Sequence, residues 1–408
     1  YATDIYGCGD VDSFKVVPYR SKFQLDYIGG SSMGVAVSSY YGTGMAGSVD
    51  LLFGDMVGNY QLYSSLAING QVQDFGGSVA FLNNKHKIDW GAAISHIPYK
   101  YGAYSYGLDT IQQNVYTVLN VDIQWIFEDA LTLFAVKPLS QTQRIEASTS
   151  FSYYSYYVQR DKYITDGYST MYVGREKNLP APDGFGVTTA GIAYTLDNSY
   201  TGIASPLRGQ RLRLEADQYF GKLNFTNVII DFRKYIFLNP ISLAFRLYHQ
   251  GRYGGNNENS IIRSLYIGWP WLVRGFFDFI SIDDGLSSQS QLFGSHIGVA
   301  NFEVRIPFTG PERLCLIPFK YFISELALFT DMGIAWNSNN KLTLDMEANK
   351  KLKLNYNNLI TTNTQSMYEN VDYAYYRYPM ITYGISLRIN LFGYMVIEPY
   401  YAIPYMKN

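Results

Sequence analysis

Apolar and polar residues alternate one by one over much of this chain. Between 211 and 217, Leu212, Leu214 and Ala216 stand between Arg211, Arg213, Glu215 and Asp217. Between 241 and 247, Ile241, Leu243, Phe245 and Leu247 oppose Ser242, Ala244 and Arg246. The windows 88–95 (Ile88, Trp90, Ala92, Ile94), 119–125 (Leu119, Val121, Ile123, Trp125) and 383–391 (Tyr383, Ile385, Leu387, Ile389, Leu391) repeat the rhythm. Successive side chains of a strand point to opposite faces, so a period of two predicts strands with one apolar and one polar face. A sandwich of this size would bury one face as a dry core and leave the other in water. Here the polar faces carry many charges and the opposite faces are aliphatic or aromatic, which fits lipid outside and a wet lumen inside.

Composition sharpens that choice. Tyrosine occurs 39 times in 408 residues, aromatics reach 17% and charged residues only 16%, against about a quarter charged in ordinary soluble domains. Mean hydropathy is −0.10, so apolar residues are interleaved rather than gathered in blocks. The longest charge-free run, Tyr27 to Val49, is rich in Gly, Ser and Tyr and lacks the roughly twenty apolar residues of a spanning helix. A closed barrel is the other way to satisfy every backbone group in a bilayer. The prediction is an all-β protein, a transmembrane antiparallel β-barrel. At roughly 25 residues per strand and connection, it has about sixteen strands.

Connections divide by length. Leu82-Asn83-Asn84-Lys85 and Leu238-Asn239-Pro240 read as short periplasmic turns, and 153–185, 251–294 and 337–378 as long extracellular loops. The chain starts with Tyr and carries no signal peptide, so a mature or trimmed product is expected. Residues 1–21 are then a periplasmic segment or the remnant of an upstream domain, and 22–408 the barrel. A net charge of −2 gives no support for nucleic-acid binding. Cys8 and Cys315 are too few and too far apart to define a disulfide framework.

Four motifs follow one another in the second half. They are Asp197-Asn198 with Ser205-Pro206-Leu207-Arg208-Gly209; Val273-Arg274-Gly275-Phe276; Glu303-Val304-Arg305-Ile306-Pro307 with Phe329-Thr330-Asp331-Met332-Gly333-Ile334-Ala335-Trp336; and Gly384-Ile385-Ser386-Leu387-Arg388 with Tyr401-Ala402-Ile403-Pro404. In this order, residues from about 185 to 405 resemble the C-terminal barrel of the bacterial surface-antigen superfamily. That superfamily includes the assembly factors BamA and TamA and the two-partner secretion transporters. The first 150 residues look like the opening strands of a subgroup common in Bacteroidetes. The family's periplasmic POTRA domains are not in this sequence, and the family usually runs one further strand after Tyr-Ala-x-Pro.

The resemblance implies a long lid loop folded into the lumen, with Val273, Arg274, Gly275 and Phe276 at its tip. It also implies that Glu303 and Asp331 are the lumenal partners of Arg274. Parity alone puts Glu303 opposite Phe302, Val304 and Ile306, and Asp331 opposite Leu326 and Leu328. A guanidinium forks onto a carboxylate through two parallel hydrogen bonds. Taken without the family, the three charges are either a latch or independent charges solvated in a wet pore, and a latch could equally be purely structural.

Other chemistry is thin. His86, His96, His249 and His296 lack metal-ligand spacing. Ser295, His296 and Asp283 could form a hydrolase set, but no nucleophile-elbow context surrounds them. Gly29-Gly30 and Gly254-Gly255 precede no helix, so they do not cradle phosphate. The runs 153–157 and 373–378, rich in Tyr, read as interface girdle or as platforms for a protein or glycan. The sequence therefore points away from an enzyme and toward no cofactor or metal. The expected protein is an outer-membrane barrel of a Gram-negative bacterium that assists insertion or translocation of other outer-membrane or surface proteins. The alternative is an accessory scaffold barrel that has lost insertase activity. Expected partners are outer-membrane lipids and lipopolysaccharide, client outer-membrane proteins, and periplasmic or lipoprotein subunits.

Overall fold

The structure is a computed structural model, and it describes residues 19–38, 42–69, 74–111, 114–165, 170–202, 204–259, 261–276, 291–311, 315–319, 323–345, 348, 375–391 and 393–405. Residues 1–18, with Cys8, and Asp283 lie outside these. Sixteen strands of six residues or more follow one another. They are β1 (Gln24–Ser38), β2 (Gly42–Gly54), β3 (Tyr60–Asn69), β4 (Phe75–Asn83), β5 (Asp89–Ile111), β6 (Asn114–Ser140), β7 (Gln143–Thr165), β8 (Thr170–Glu176), β9 (Phe185–Asp197), β10 (Pro206–Gly221), β11 (Phe225–Leu238), β12 (Ile241–Tyr253), β13 (His296–Gly310), β14 (Ile323–Trp336), β15 (Met380–Leu391) and β16 (Tyr400–Tyr405). The main sheet counts nineteen strands among the described residues, three of them pieces of two or three residues at 200–201, 317–318 and 395–397. The sequence rhythm predicts about sixteen because it registers whole crossings and passes over such fragments. No helix among the described residues is long and apolar enough to cross a membrane.

The chain divides into two compact units, Tyr1–Leu131 with Ser155–Pro182 and Thr132–Tyr154 with Asp183–Asn408. In the first, β1 to β5 pair antiparallel in sequence order. A membrane strand needs about 9–11 residues, yet β5, β6 and β7 run for 23, 27 and 23. More than half of each therefore exceeds what a crossing needs. This accounts for two departures from the sequence reading. Much of 153–185, expected as a loop, is strand, with β7 continuing to Thr165 and pairing β8. Arg175 also forks onto Asp161 there, at 2.6 and 2.9 Å. The apolar residues of 119–125 do not face lipid either. Leu119, Val121, Ile123 and Trp125 are buried in a cluster with Phe127, Tyr157 and Tyr163, while Asp122 on the other face takes a fork from Arg160.

In the second unit, the first half of β7 pairs β9, and β9 to β16 continue as successive antiparallel neighbours. Alternation holds throughout. Leu214 opposes Ile230, Phe245 opposes Phe302 and Leu328 opposes Ile385 across neighbouring strands, and all six are exposed. A contiguous apolar face of this extent is tolerated where lipid covers it. The opposite face carries Ser242, Glu303, Arg305, Asp331, Ser386 and Arg388, all buried. Counting hairpins, connections 222–224, 254–295 and 337–379 fall at one end of this unit and 198–205, 239–240, 311–322 and 392–399 at the other, so both long connections share an end, together with one three-residue turn.

Candidate functional site

The connection after β12 turns back onto the polar face of the second unit. Leu265–Tyr266 pairs with Phe293–Gly294, which brings the two legs of this lid together. Between them, the amides of Leu272 and Val273 both donate to the Trp269 carbonyl, curling the chain so that 273–276 point at β13, β14 and β15. Apolar contacts hold it. Ile267, Leu272, Val273 and Phe276 from the lid pack with Ile297, Val299, Ala335 and Met380, and full burial of one such side chain is worth about 1.5–3 kcal/mol. Gly333 provides the room, since a Cβ there would lie 2.6 Å from a Val273 methyl. Gly275 has φ of +92°, a backbone state that glycine adopts without a steric penalty. A Cβ on it would press on Ala402 at 3.0 Å.

This anchoring delivers Arg274 onto a patch prepared by strand register. Asn301 faces Asp331 and Glu303 faces Phe329 across β13 and β14, so four side chains of one face form a square. Arg274 Nε and Nη2 donate to Asp331 Oδ2 and Oδ1 at 2.7 and 2.8 Å, and the Arg274 backbone N–H donates to Oδ2 at 3.2 Å. Nη2 also lies 2.8 Å from Glu303 Oε1, and the guanidinium sits 3.5 Å over the Phe329 ring. Gly384 on β15 leaves space for that ring, because a Cβ there would lie 2.6 Å from it. Asn301 closes the corner, donating to Asp331 Oδ1 and to the Leu272 carbonyl, each at 2.8 Å.

The structure thus brings together every sequence-predicted site residue, with Val273 and Phe276 as apolar anchors, Gly275 as the turn and Arg274 on Asp331 and Glu303. It also adds residues that motif order did not single out. Arg305 donates to Glu303 at 2.8 Å. Arg388 reaches Glu303 at 2.9 Å, Glu325 at 3.0 Å and Glu398 at 3.0 Å. Ser205, in the connection before β10, donates to Glu325. Three guanidiniums and four carboxylates therefore form one network. Parity could have found Arg305, Glu325 and Arg388, which share the face of Glu303 and Asp331. Glu398 lies in a connection and gives no periodic signal.

A second tie holds the rim. Glu258, at the start of the lid, accepts from the Ser338 backbone N–H at 2.7 Å and from the Ser338 and Ser295 hydroxyls at 2.9 Å. Partial burial pushes the Glu258 carboxyl up, but these three donors outweigh it and hold the carboxyl below its ordinary range. Ser295 also contacts His296 Nδ1 at 2.8 Å. A hydrolytic triad needs its carboxylate on the imidazole, whereas here Glu258 bonds the serine. The Ser295–His296 pair therefore reads as part of the clasp.

No curated protein matches the sequence. Among solved structures, the chain is similar to BamA from Haemophilus ducreyi lacking POTRA domains 1-3. The match has 14% identity and a TM-score of 0.52, over 95% of this chain and 66% of that one. It is also similar to CdiB from Acinetobacter baumannii, at 13% identity and a TM-score of 0.41, over 94% of this chain and 55% of that one. The chain spans about two thirds of the first structure's length and just over half of the second's. The first likeness gives the fold, an antiparallel β-barrel. The chain also matches the Omp85 superfamily domain over residues 129–407. That match covers well over half of the sequence, the lid and all three arginines of its network included, and the chain belongs to the Omp85 superfamily of outer-membrane β-barrels.

Proposed function

We propose that this barrel assists the insertion or secretion of other outer-membrane or surface proteins, and that the lid bearing Arg274 closes its lumen between events. The observation that carries the reading is the fork of Arg274 onto a fully buried Asp331, with Glu303 beside it. Membership of the superfamily supports the same class of activity. An arginine held this way costs a great deal to withdraw unless something replaces it, which is the property a gate needs. In this reading Val273 and Phe276 seat the lid, Gly275 allows the turn, and Arg305 and Arg388 hold Glu303 in place. Clients and partner subunits are other outer-membrane proteins, with lipids and lipopolysaccharide around the apolar face. On this reading residues 22–408 make the barrel, and 1–21 are a periplasmic segment or the remnant of an upstream domain.

The test is folding of an outer-membrane barrel client in liposomes that hold the purified protein or its Arg274→Ala variant. Acceleration by the wild type and loss in the variant is the expected result. If neither exceeds protein-free liposomes while both migrate as heat-modifiable barrels, the insertion reading fails.

A further inference from the structure

Above the arginine network, between the lid and the polar face of β12, lies a separate cavity of about 1010 Å³, at the upper end of the size range of small-molecule sites. Its wall is Arg246, Tyr248, Gln250 and Arg252, and its lid side includes Arg263, Ser264, Trp269 and Trp271. Among the described residues, three arginines and no acid line it. Arg246 is already committed, forked onto Asp231 and bonded to the Trp271 carbonyl. Arg252 is not. It spends one donor on the Arg263 carbonyl at 2.7 Å, and among the described residues no carboxylate pairs with it. A guanidinium has five N–H donors in a planar fork, so most of Arg252's capacity is left for an anion.

The other half of the recognition surface is flat. Trp269 and Trp271 stack with ring centroids 4.8 Å apart and planes 8° from parallel, and Trp271 is 64% exposed. An indole face is electron-rich and suits the slightly positive C–H face of a sugar ring. Tyr248, Gln250 and Ser264 add the hydroxyl and amide groups that pair with sugar hydroxyls. A peptide would need a strand edge or an enclosing apolar slot. β12 offers no free edge, being paired on both sides with β11 and β13, and the arginines among the apolar lining favour an anionic ligand.

We propose that this cavity binds an acidic oligosaccharide, one ring stacked on Trp271 and the anionic group of a further ring forked by Arg252, which lies six residues along β12 from Arg246 at the Trp271 carbonyl. The site lies on the long-connection side of the lid and goes beyond the insertion reading, because it needs the lid seated but no client.

The test uses the whole chain in nanodiscs, with trigalacturonic acid as probe and its methyl ester as the neutral counterpart. Tryptophan fluorescence and calorimetry report binding. Saturable binding of the acid is expected, at least about tenfold tighter than the ester, the value of one charge-assisted hydrogen-bond pair. Arg252→Gln should abolish the preference for the acid while leaving the ester unchanged, and Trp271→Ala should weaken both. If lipopolysaccharide in the nanodisc competes, the ligand is the sugar of the surface lipid. If it does not, the ligand is a free glycan, and either outcome supports the site. Equal binding of acid and ester by the wild type, or an unchanged preference in a heat-modifiable Arg252→Gln variant, overturns it. So does the absence of saturable binding up to about 10 mM, which is weaker than a few kcal/mol of affinity.

Discussion

Two ion pairs of this protein have nearly the same length and very different surroundings. Arg274 Nε lies 2.7 Å from Asp331, with side chains 8% and 0% exposed. Arg144 Nε lies 2.6 Å from Glu146, with side chains 52% and 24% exposed. Both bonds are charge-assisted, and geometry alone ranks them together. Water separates them. The exposed pair exchanges solvent for a partner at little net gain, about 0–1 kcal/mol. The buried pair has already given up its solvent, so removing one partner strands the other. What matters at the lid is therefore less the strength of the attraction than the cost of leaving it unanswered.

That contrast can be broken outright. Arg274→Ala should destabilise the second unit by about 3–5 kcal/mol, because the buried Asp331 carboxyl loses its fork. Urea unfolding in nanodiscs, followed by tryptophan fluorescence, measures the loss. A cost below about 1 kcal/mol would mean that water enters the site freely and that burial does not distinguish the two pairs.

A second substitution separates electrostatics from packing. Gly333→Val forces a side chain into the space held by Val273 and should cost about 1–3 kcal/mol by overpacking. It should also raise protease cleavage at Arg263 while every charge of the network stays in place. If cleavage is unchanged, the charges alone seat the lid. The smallest effect belongs to the exposed pair. Arg144→Gln should change stability by no more than about 0.5–1 kcal/mol, within reach of the same unfolding curves, and a larger loss would erase the distinction from the other side.

Much of this arrangement was legible in the residues. Period two placed Glu303 and Asp331 on one face, and the structure puts Phe302, Leu328 and Met332 on the other, all exposed. The family resemblance implied that Arg274 meets those acids, and the structure places it on both. Gly209 ends a motif stretch because its φ is +105° and a Cβ there would lie 2.4 Å from the Asn198 carbonyl. Other features were hidden for physical reasons. The window 119–125 alternates as a membrane strand does, yet its apolar side is buried, because periodicity reports two faces and not which medium covers each. Parity places Arg388 on the polar face, but its bond to Glu303 joins residues 85 apart in sequence, and Glu398, which bonds Arg388, lies in a connection with no periodic signal. The Trp269–Trp271 stack joins residues two apart in a turn, a spacing that no strand or helix rule would flag.

The lid is tethered at both ends. Arg274 lies twenty-one residues beyond Tyr253, where β12 ends, and twenty-two before His296, where β13 begins. Once released, its guanidinium cannot dilute away, and segments of this length hold a group near its target at an effective concentration on the order of millimolar. Reclosure is then a first-order event that outpaces most free competitors. A molecule that merely dislodges the arginine obtains a brief opening. In the proposed gating, a molecule that keeps the lumen open must occupy the acids of the patch, or hold the lid elsewhere, for as long as its passage takes.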